Sequence, residues 1–105
     1  VSVYKNAIDA TENVDAKQAL LLMEATAYSN GGDNDNALIS ALASESLKNS
    51  SDTEQYIASL YEKKADNANA IIFYKKAIDN INKQDPLADS DINYYQNKIE
   101  ILGGY

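Results

Sequence analysis

The sequence predicts an all-α protein in which one helical unit is repeated. Apolar residues recur at helical spacing along almost the whole chain, and no strand-length window alternates strictly between apolar and polar residues. Segments 25–39 and 58–72 each contain an alanine, a tyrosine three residues later and an Asp-Asn-x-Asn-Ala loop, and the copies lie 33 residues apart. A period of this length is typical of helical units that stack because none buries its apolar face alone.

Six helices are predicted, near residues 2–12, 15–30, 34–48, 52–65, 67–83 and 89–102. The first contains residues 4–9, whose pattern recurs in residues 74–79. Glycine pairs follow the second and the sixth. The only proline, Pro86, follows the fifth, because a residue that precedes proline is disfavoured in a helix.

Side chains that can cap a helix mark the starts of the last four helices. Asp33 and Asp66 stand just before apolar periodic runs and are predicted N-caps, since their carboxylates can accept from first-turn amides. Segments 51–54 and 89–91 combine capping oxygens with acids that oppose the positive end of the helix dipole. Because the connections are short, neighbouring helices are predicted to form antiparallel hairpins.

The repeated residues resemble the tetratricopeptide repeat, an antiparallel helix pair of about 34 residues with small side chains where the helices cross. The matching positions in residues 51–86 are Ile57, Ala58, Tyr61, Ala70, Tyr74 and Ala77. The matching positions upstream are Leu21, Ala25, Tyr28, Ala37 and Ala41. The resemblance implies a right-handed superhelical stack of hairpins, in which the four alanines at 25, 37, 58 and 70 let the helices approach closely.

Four residues depart from the family's pattern. Glu54 replaces an early aromatic residue, and Asn82 replaces a closing proline, so the fifth helix is expected to run about one turn longer. Upstream, Glu24 replaces a leucine and Ser44 an alanine.

The resemblance also implies boundaries within a single domain, 1–105. They are the second helix of a partial repeat (1–14), repeat one (15–50), repeat two (51–86) and a capping helix (89–102). Because the chain opens on a second helix, a further segment is expected before Val1.

Composition excludes several classes of function. The 105 residues include no cysteine or histidine, and all nine basic residues are lysine, so disulfide frameworks and thiolate or imidazole metal sites are excluded. A net charge of −7 makes nucleic acid and anionic membranes poor partners and favours a neutral or basic peptide. No apolar run approaches the roughly 18 residues of a membrane span, which predicts a soluble chain.

The resemblance implies a concave groove, lined by the first helix of each pair, that holds an extended peptide. The residues predicted to face it are Leu22, Thr26, Ser29, Asn30, Gln55, Ser59, Glu62 and Lys63. Their amides and hydroxyls could serve the partner's backbone, and only Lys63 is basic. The predicted function is therefore protein interaction or assembly. The alternative is a structural or self-associating domain of a larger protein, with an ordinary solvated face at these positions.

Tyrosine is abundant, and Tyr94, Tyr95 and Tyr105 lie outside the repeat pattern. Two interpretations stay open: Tyr95 packs against the fifth helix while its neighbours are exposed, or the terminal helix forms a homodimer interface.

Metal binding and catalysis are not predicted. The acidic loop 31–36 suggests calcium, but Leu38 stands where the turning glycine is needed and Ser44 where a bidentate glutamate should close the site. The acidic pairs at 12 and 15 and at 89 and 91 are interpreted as caps. Without histidine, cysteine or arginine, and without a glycine-rich phosphate loop, the chain is predicted to be neither an enzyme nor a cofactor-binding protein.

Overall fold

The computed structural model describes residues 2–10 and 12–104, with side chains from residue 6 onward. The six helices in this part are α1 (Ser2–Ala10), α2 (Val14–Asn30), α3 (Asn34–Leu47), α4 (Ser51–Lys63), α5 (Asn67–Asn80) and α6 (Ala88–Ile101). No strand occurs in the described residues, which confirms the all-α prediction for them. The side chain of Tyr4, which helped to predict the first helix, lies outside the described residues.

The predicted helix boundaries agree with the structure within three residues. The largest difference is at α5, which ends at Asn80, so the expectation of a longer helix is wrong. Ile81 is extended, with φ −67° and ψ 138°, and the Asn82 side-chain oxygen accepts from the Gln84 amide at 3.1 Å. Asn82 therefore forms a turn of its own, which competes with continuation of the helix.

The predicted aspartate caps are confirmed for α3 and α5. Segments 51–54 and 89–91 do mark the starts of α4 and α6 and place acids in their first turns, but the prediction that their side chains cap these helices is wrong. Asp33 and Asp66 accept from the amides of Asn36 and Asn69 at 3.1 and 3.2 Å. At α4 the residue before the helix makes no side-chain capping bond, and the Ser51 hydroxyl instead donates to the Ala77 carbonyl at 2.8 Å. α6 follows a leucine, which has no capping oxygen. At the start of α4, the Ser51 side chain therefore bonds to α5 and does not cap its own helix.

The chain divides into two compact units, Val1–Asn49 and Ser50–Tyr105. In the first unit α2 packs against α1 and α3, and in the second α5 packs against α4 and α6. We call α2 and α3 with their loop the first hairpin, and α4 and α5 with theirs the second hairpin. The division lies one residue from the predicted boundary between the repeats, while a single domain spanning both stays a prediction.

Both hairpins are antiparallel and close-packed where their helices cross. In the first, Ser40 of α3 donates to Glu24 of α2 at 2.6 Å. In the second, Tyr74 of α5 donates to Glu62 of α4 at 2.5 Å. The crossing alanines are all fully buried, at 0% exposure: Ala25, Ala37, Ala58 and Ala70. Their lack of side-chain bulk is what allows the helices to approach.

The two hairpin loops have the same backbone hydrogen bonds. In the first, the amide of Asp33 donates to the Tyr28 carbonyl and that of Gly32 to the Ser29 carbonyl, at 2.9 and 3.0 Å. The second repeats both bonds 33 residues later, at 2.9 Å each. Such a closure requires a left-handed residue, supplied by Gly32 at φ 82° and by Ala65 at φ 59°. Each loop thus ends one helix and caps the next within three residues.

Candidate functional site

The outer face of α2 is unusual because it carries no charge from Gln18 to Asn30. Between Gln18 and Asn30 the only ionisable acidic or basic side chain is that of Glu24, which is 4% exposed and accepts the Ser40 hydrogen bond. Surface helices normally place charged residues opposite their buried face. Here that face carries apolar or uncharged polar residues, such as Met23, which is 51% exposed.

An open depression of about 400 Å³ lies on this face. Its lining residues are Leu22, Met23, Thr26, Ala27 and Asn30. All five belong to α2, so the surface is positioned by one helix whose other side is fixed by buried Leu21 and Ala25. We refer to it as the α2 depression.

Few polar groups in the α2 depression are available to a ligand. The Thr26 hydroxyl donates to the Leu22 carbonyl of its own helix at 2.9 Å, leaving only its oxygen lone pairs as acceptors. Asn30, at the end of α2, is exposed and offers an amide. The floor between them is apolar, so the depression is suited to apolar side chains.

The residues predicted on the first helix of repeat one lie on or beside this depression. Leu22, Thr26 and Asn30 line it, whereas Ser29 is half-buried and is not part of the lining. Met23 and Ala27 were missed by the prediction. The absence of exposed charge from residue 18 to residue 30 is the sequence signal that could have found them.

The residues predicted on α4 have different surroundings. Gln55 and Ser59 are half-buried, and the Ser59 hydroxyl donates to the Tyr56 carbonyl at 2.7 Å. Lys63 is exposed. Glu62 is occupied inside the second unit, where its carboxylate accepts from Tyr74 at 2.5 Å and from Lys98 at 3.3 Å. The Ser59 hydroxyl and the Glu62 carboxylate thus already have hydrogen-bond partners within the second unit, and a role of these positions in binding a peptide stays a prediction.

Glu62 belongs to a contact that joins three helices of the second unit. It lies on α4, Tyr74 on α5 and Lys98 on α6. Burial raises the pKa of the Tyr74 hydroxyl, and the hydrogen bond to Glu62 and its charge raise it further. A neutral tyrosine that donates to a carboxylate is a stable arrangement, and it points to a structural role in holding α6 against the hairpin.

The tyrosines of α6 are divided between core and surface. Tyr95 is 6% exposed, and its ring centroid lies 6.0 Å from that of Tyr74. Tyr94 is 49% exposed, and Lys98 Nζ lies 5.8 Å from its ring centroid. The interpretation that Tyr95 packs against the fifth helix is confirmed. Tyr105 lies outside the described residues, and the homodimer through the terminal helix stays a hypothesis.

The acidic loop of the first hairpin uses its oxygens for capping. Both carboxylate oxygens of Asp33 accept from Asn36, one from the side chain at 2.7 Å and one from the backbone amide at 3.1 Å. These bonds, the side-chain bond first, lower the pKa of Asp33. No group of three or more side chains able to hold a metal ion occurs in the part of the chain that the structure describes.

The described residues contain no helix long and apolar enough to cross a bilayer. No protein-family model matches the chain, and no curated protein or solved structure matches it either. What the α2 depression can bind is accordingly inferred from its shape, its lack of charge and its exposed apolar side chains.

Proposed function

We propose that this chain is a non-catalytic protein-interaction module, built from tetratricopeptide-like helical repeats, that binds a partner protein or peptide at the α2 depression. The observation that carries the proposal is the absence of exposed charge on α2 from Gln18 to Asn30, in a chain of net charge −7. The superhelical stack of repeats that the sequence predicts is part of the same proposal.

Covering the α2 depression supplies the binding energy. Met23 is half-exposed, and its flexible side chain adapts to different apolar surfaces. Burying a methionine or leucine side chain contributes about 1.5–3 kcal/mol, so one or two such side chains suffice for a weak, specific complex once the cost of association is met. The acidic surface elsewhere attracts a basic partner, repels acidic ones and does not oppose a neutral one.

The test is a selection of peptides from a random display library against the folded chain. Peptides of about 16 residues are long enough for extended or helical binding. The site variant is Met23→Gln, which keeps the side-chain length and helix propensity but removes the apolar surface. The matched control is Ile39→Gln on α3, since Ile39 is also exposed, at 64%, and lies outside the depression.

Selected peptides should lose at least about tenfold in affinity for Met23→Gln and keep their affinity for Ile39→Gln. A parallel variant, Gln55→Ala with Ser59→Ala, measures any contribution from the predicted α4 positions. Failure to select any peptide that depends on Met23 would contradict the proposal. It would favour the structural or self-associating alternative, which analytical ultracentrifugation of the unmodified chain then checks.

A further inference from the structure

We propose that Met23 is a modification site, at which oxidation by peroxide to methionine sulfoxide prevents binding at the α2 depression until the sulfoxide is reduced again. This inference rests on the proposed function and adds a mode of regulation to the same surface. Three features of the chain carry it: its single sulfur atom, the position of Met23 outside the core, and the shortage of hydrogen-bond donors around that side chain.

The first feature is that the whole chain contains one sulfur atom. The 105 residues include one methionine and no cysteine. Thioether and thiol groups are the side-chain groups that peroxide oxidises most readily. Peroxide therefore acts on one side chain of this protein, and that side chain lines the α2 depression.

The second feature is that Met23 is accessible and does not belong to the core. It is 51% exposed, whereas Leu21 and Ala25, on the other side of α2, are 9% and 0% exposed. A methionine sulfoxide inside a core disrupts its packing, because an apolar side chain becomes polar. At Met23 the added oxygen is solvated in the free chain, so the fold is expected to survive oxidation. Loss of binding is then separable from loss of structure.

The third feature is the lack of donors near the sulfur. A sulfoxide oxygen accepts hydrogen bonds and needs a donor once a partner has displaced water from it. Leu22 and Ala27 have no side-chain donor, and the Thr26 hydroxyl already donates to the Leu22 carbonyl at 2.9 Å. The Asn30 amide lies two turns further along α2, about 10 Å along the helix axis. An apolar partner that covers the oxidised side chain therefore leaves its oxygen without a donor on α2.

The reaction is a two-electron oxidation of the thioether. A lone pair of the Met23 sulfur attacks one oxygen of hydrogen peroxide, and the S–O bond forms as the O–O bond breaks. The hydroxide that leaves takes the proton of the transferred oxygen and becomes water, so sulfur is oxidised and peroxide is reduced. Methionine sulfoxide reductases reverse the change. They use two thiols that end as a disulfide, and the sulfoxide oxygen leaves as water.

The test uses a library peptide that depends on Met23 and itself lacks methionine and cysteine. The folded chain is treated with hydrogen peroxide, the peroxide is removed, and mass spectrometry measures the gain of one oxygen atom at Met23. The oxidised chain should bind the peptide at least about tenfold more weakly, as expected for Met23→Gln, while its thermal unfolding is unchanged. Because each sulfoxide epimer has its own reductase, treatment with both reductases and a thiol should restore the affinity.

Two variants are matched controls. Met23→Leu keeps a similar apolar volume without sulfur, so it should still bind the peptide, and its affinity should not change on peroxide treatment. Ile39→Gln lies outside the depression and should lose affinity on oxidation as the unmodified chain does. A loss of affinity in peroxide-treated Met23→Leu would contradict the assignment, since that variant has no sulfur to oxidise.

The outcomes separate this inference from the proposed function. A chain fully oxidised at Met23 that binds with unchanged affinity would overturn the inference and leave the binding function standing. The same holds if Met23 resists peroxide at concentrations that oxidise N-acetylmethionine. A loss of affinity that comes with unfolding, or that persists after the reductases have removed the oxygen, would also overturn it. Failure to obtain any Met23-dependent peptide would overturn both.

Discussion

The two hairpins share their backbone but bury their polar groups in different places. Gln18 and Ser51 occupy equivalent positions and donate to equivalent carbonyls, those of Ser44 and Ala77, at 3.3 and 2.8 Å. The loops have the same hydrogen bonds and the same φ and ψ at their capping aspartates, within 1°. A repeat is therefore defined here by its crossing alanines and its loop, since these are the features that both copies keep.

The buried carboxyl groups occupy positions at which the two hairpins differ in sequence. In the first hairpin Glu24 accepts from Ser40, and the second has Ile57 and Phe73 at those positions. In the second hairpin both oxygens of Glu54 lie 2.8–2.9 Å from Asn80 Nδ2, and the first has leucines there, at 21 and 47. Each hairpin thus pairs a buried carboxyl group with a donor, and its counterpart has apolar residues at both positions. This pattern is expected because a buried carboxyl group needs a hydrogen-bond donor.

The outer surfaces differ as well. α4 carries exposed charged residues at 52 and 63, whereas α2 carries no exposed charge between Gln18 and Asn30. This difference in exposed charge is the reason why the proposed binding surface is placed on the first hairpin.

The largest effect is expected from removing the hydrogen-bond donor of a buried carboxyl group. Asn80→Leu takes the donor from Glu54, which is 0% exposed, and should reduce the free energy of unfolding by about 3 kcal/mol. Urea denaturation followed by circular dichroism measures the loss.

The matched control is the double variant Glu54→Leu with Asn80→Leu, which copies the residues of the first hairpin. It should recover most of the lost stability, because replacing both partners with apolar residues leaves no unsatisfied group. A double variant as unstable as Asn80→Leu would contradict the view that the two hairpins are interchangeable at this position.

The next largest effect is expected where the two helices of each hairpin cross. Ala58→Leu and Ala25→Leu each insert a branched side chain where the native residue is 0% exposed, and each should cost roughly 1–3 kcal/mol through overpacking. The exposed Ala68→Leu is the control and should change stability little. A loss at only one of the two crossings would show that the hairpins do not share the packing that their common alanines imply.

A smaller effect is expected at the left-handed loop position. Ala65→Gly should stabilise the chain by about 0.5–1 kcal/mol, because alanine at φ 59° is strained and glycine is not. Gly32→Ala makes the reverse change at φ 82° and should destabilise by a similar amount. Changes of equal sign in the two variants would contradict the equivalence of the loops.

These comparisons show which parts of the molecule local sequence patterns can predict. The helices, the crossing alanines and the aspartate caps of α3 and α5 follow from periodicity and short-range hydrogen bonding. The end of α5 was misplaced because a turn at Asn82 competes with the helix. The cap predicted at the start of α4 is absent, and the Ser51 hydroxyl bonds across the hairpin. Of the candidate site, Leu22, Thr26 and Asn30 were named from the resemblance to the repeat family, and the structure places all three on the α2 depression. The hydrogen bonds of Glu62 are made with Tyr74 and Lys98, which lie on other helices. No local sequence pattern indicates such tertiary partners.

The smallest effect concerns the charge of the Asp33 cap. The pKa of Asp33 is lowered from its ordinary value of 3.8, first by the hydrogen bond from the Asn36 side chain and then by that from the Asn36 amide. A carboxyl whose folded pKa is depressed stabilises the fold fully above its unfolded value, and this contribution disappears as pH falls through the folded pKa. Comparison of Asp33→Asn with the unmodified chain in urea should therefore give a constant stability difference above about pH 5. The difference should diminish as the pH falls through 3.8 and below.

Asn36→Ala sharpens this test because it removes the largest cause of the shift while leaving the amide bond in place. When Asp33→Asn is introduced into the Asn36→Ala variant, the resulting change in the free energy of unfolding should depend less on pH than it does in the unmodified chain. Persistence of the full pH dependence would mean that the side-chain bond does not set the charge preference of this loop. The second hairpin repeats the same bond between Asn69 and Asp66 at 2.8 Å, so the same pair of substitutions there shows whether the two loops are equivalent in energy as well as in geometry.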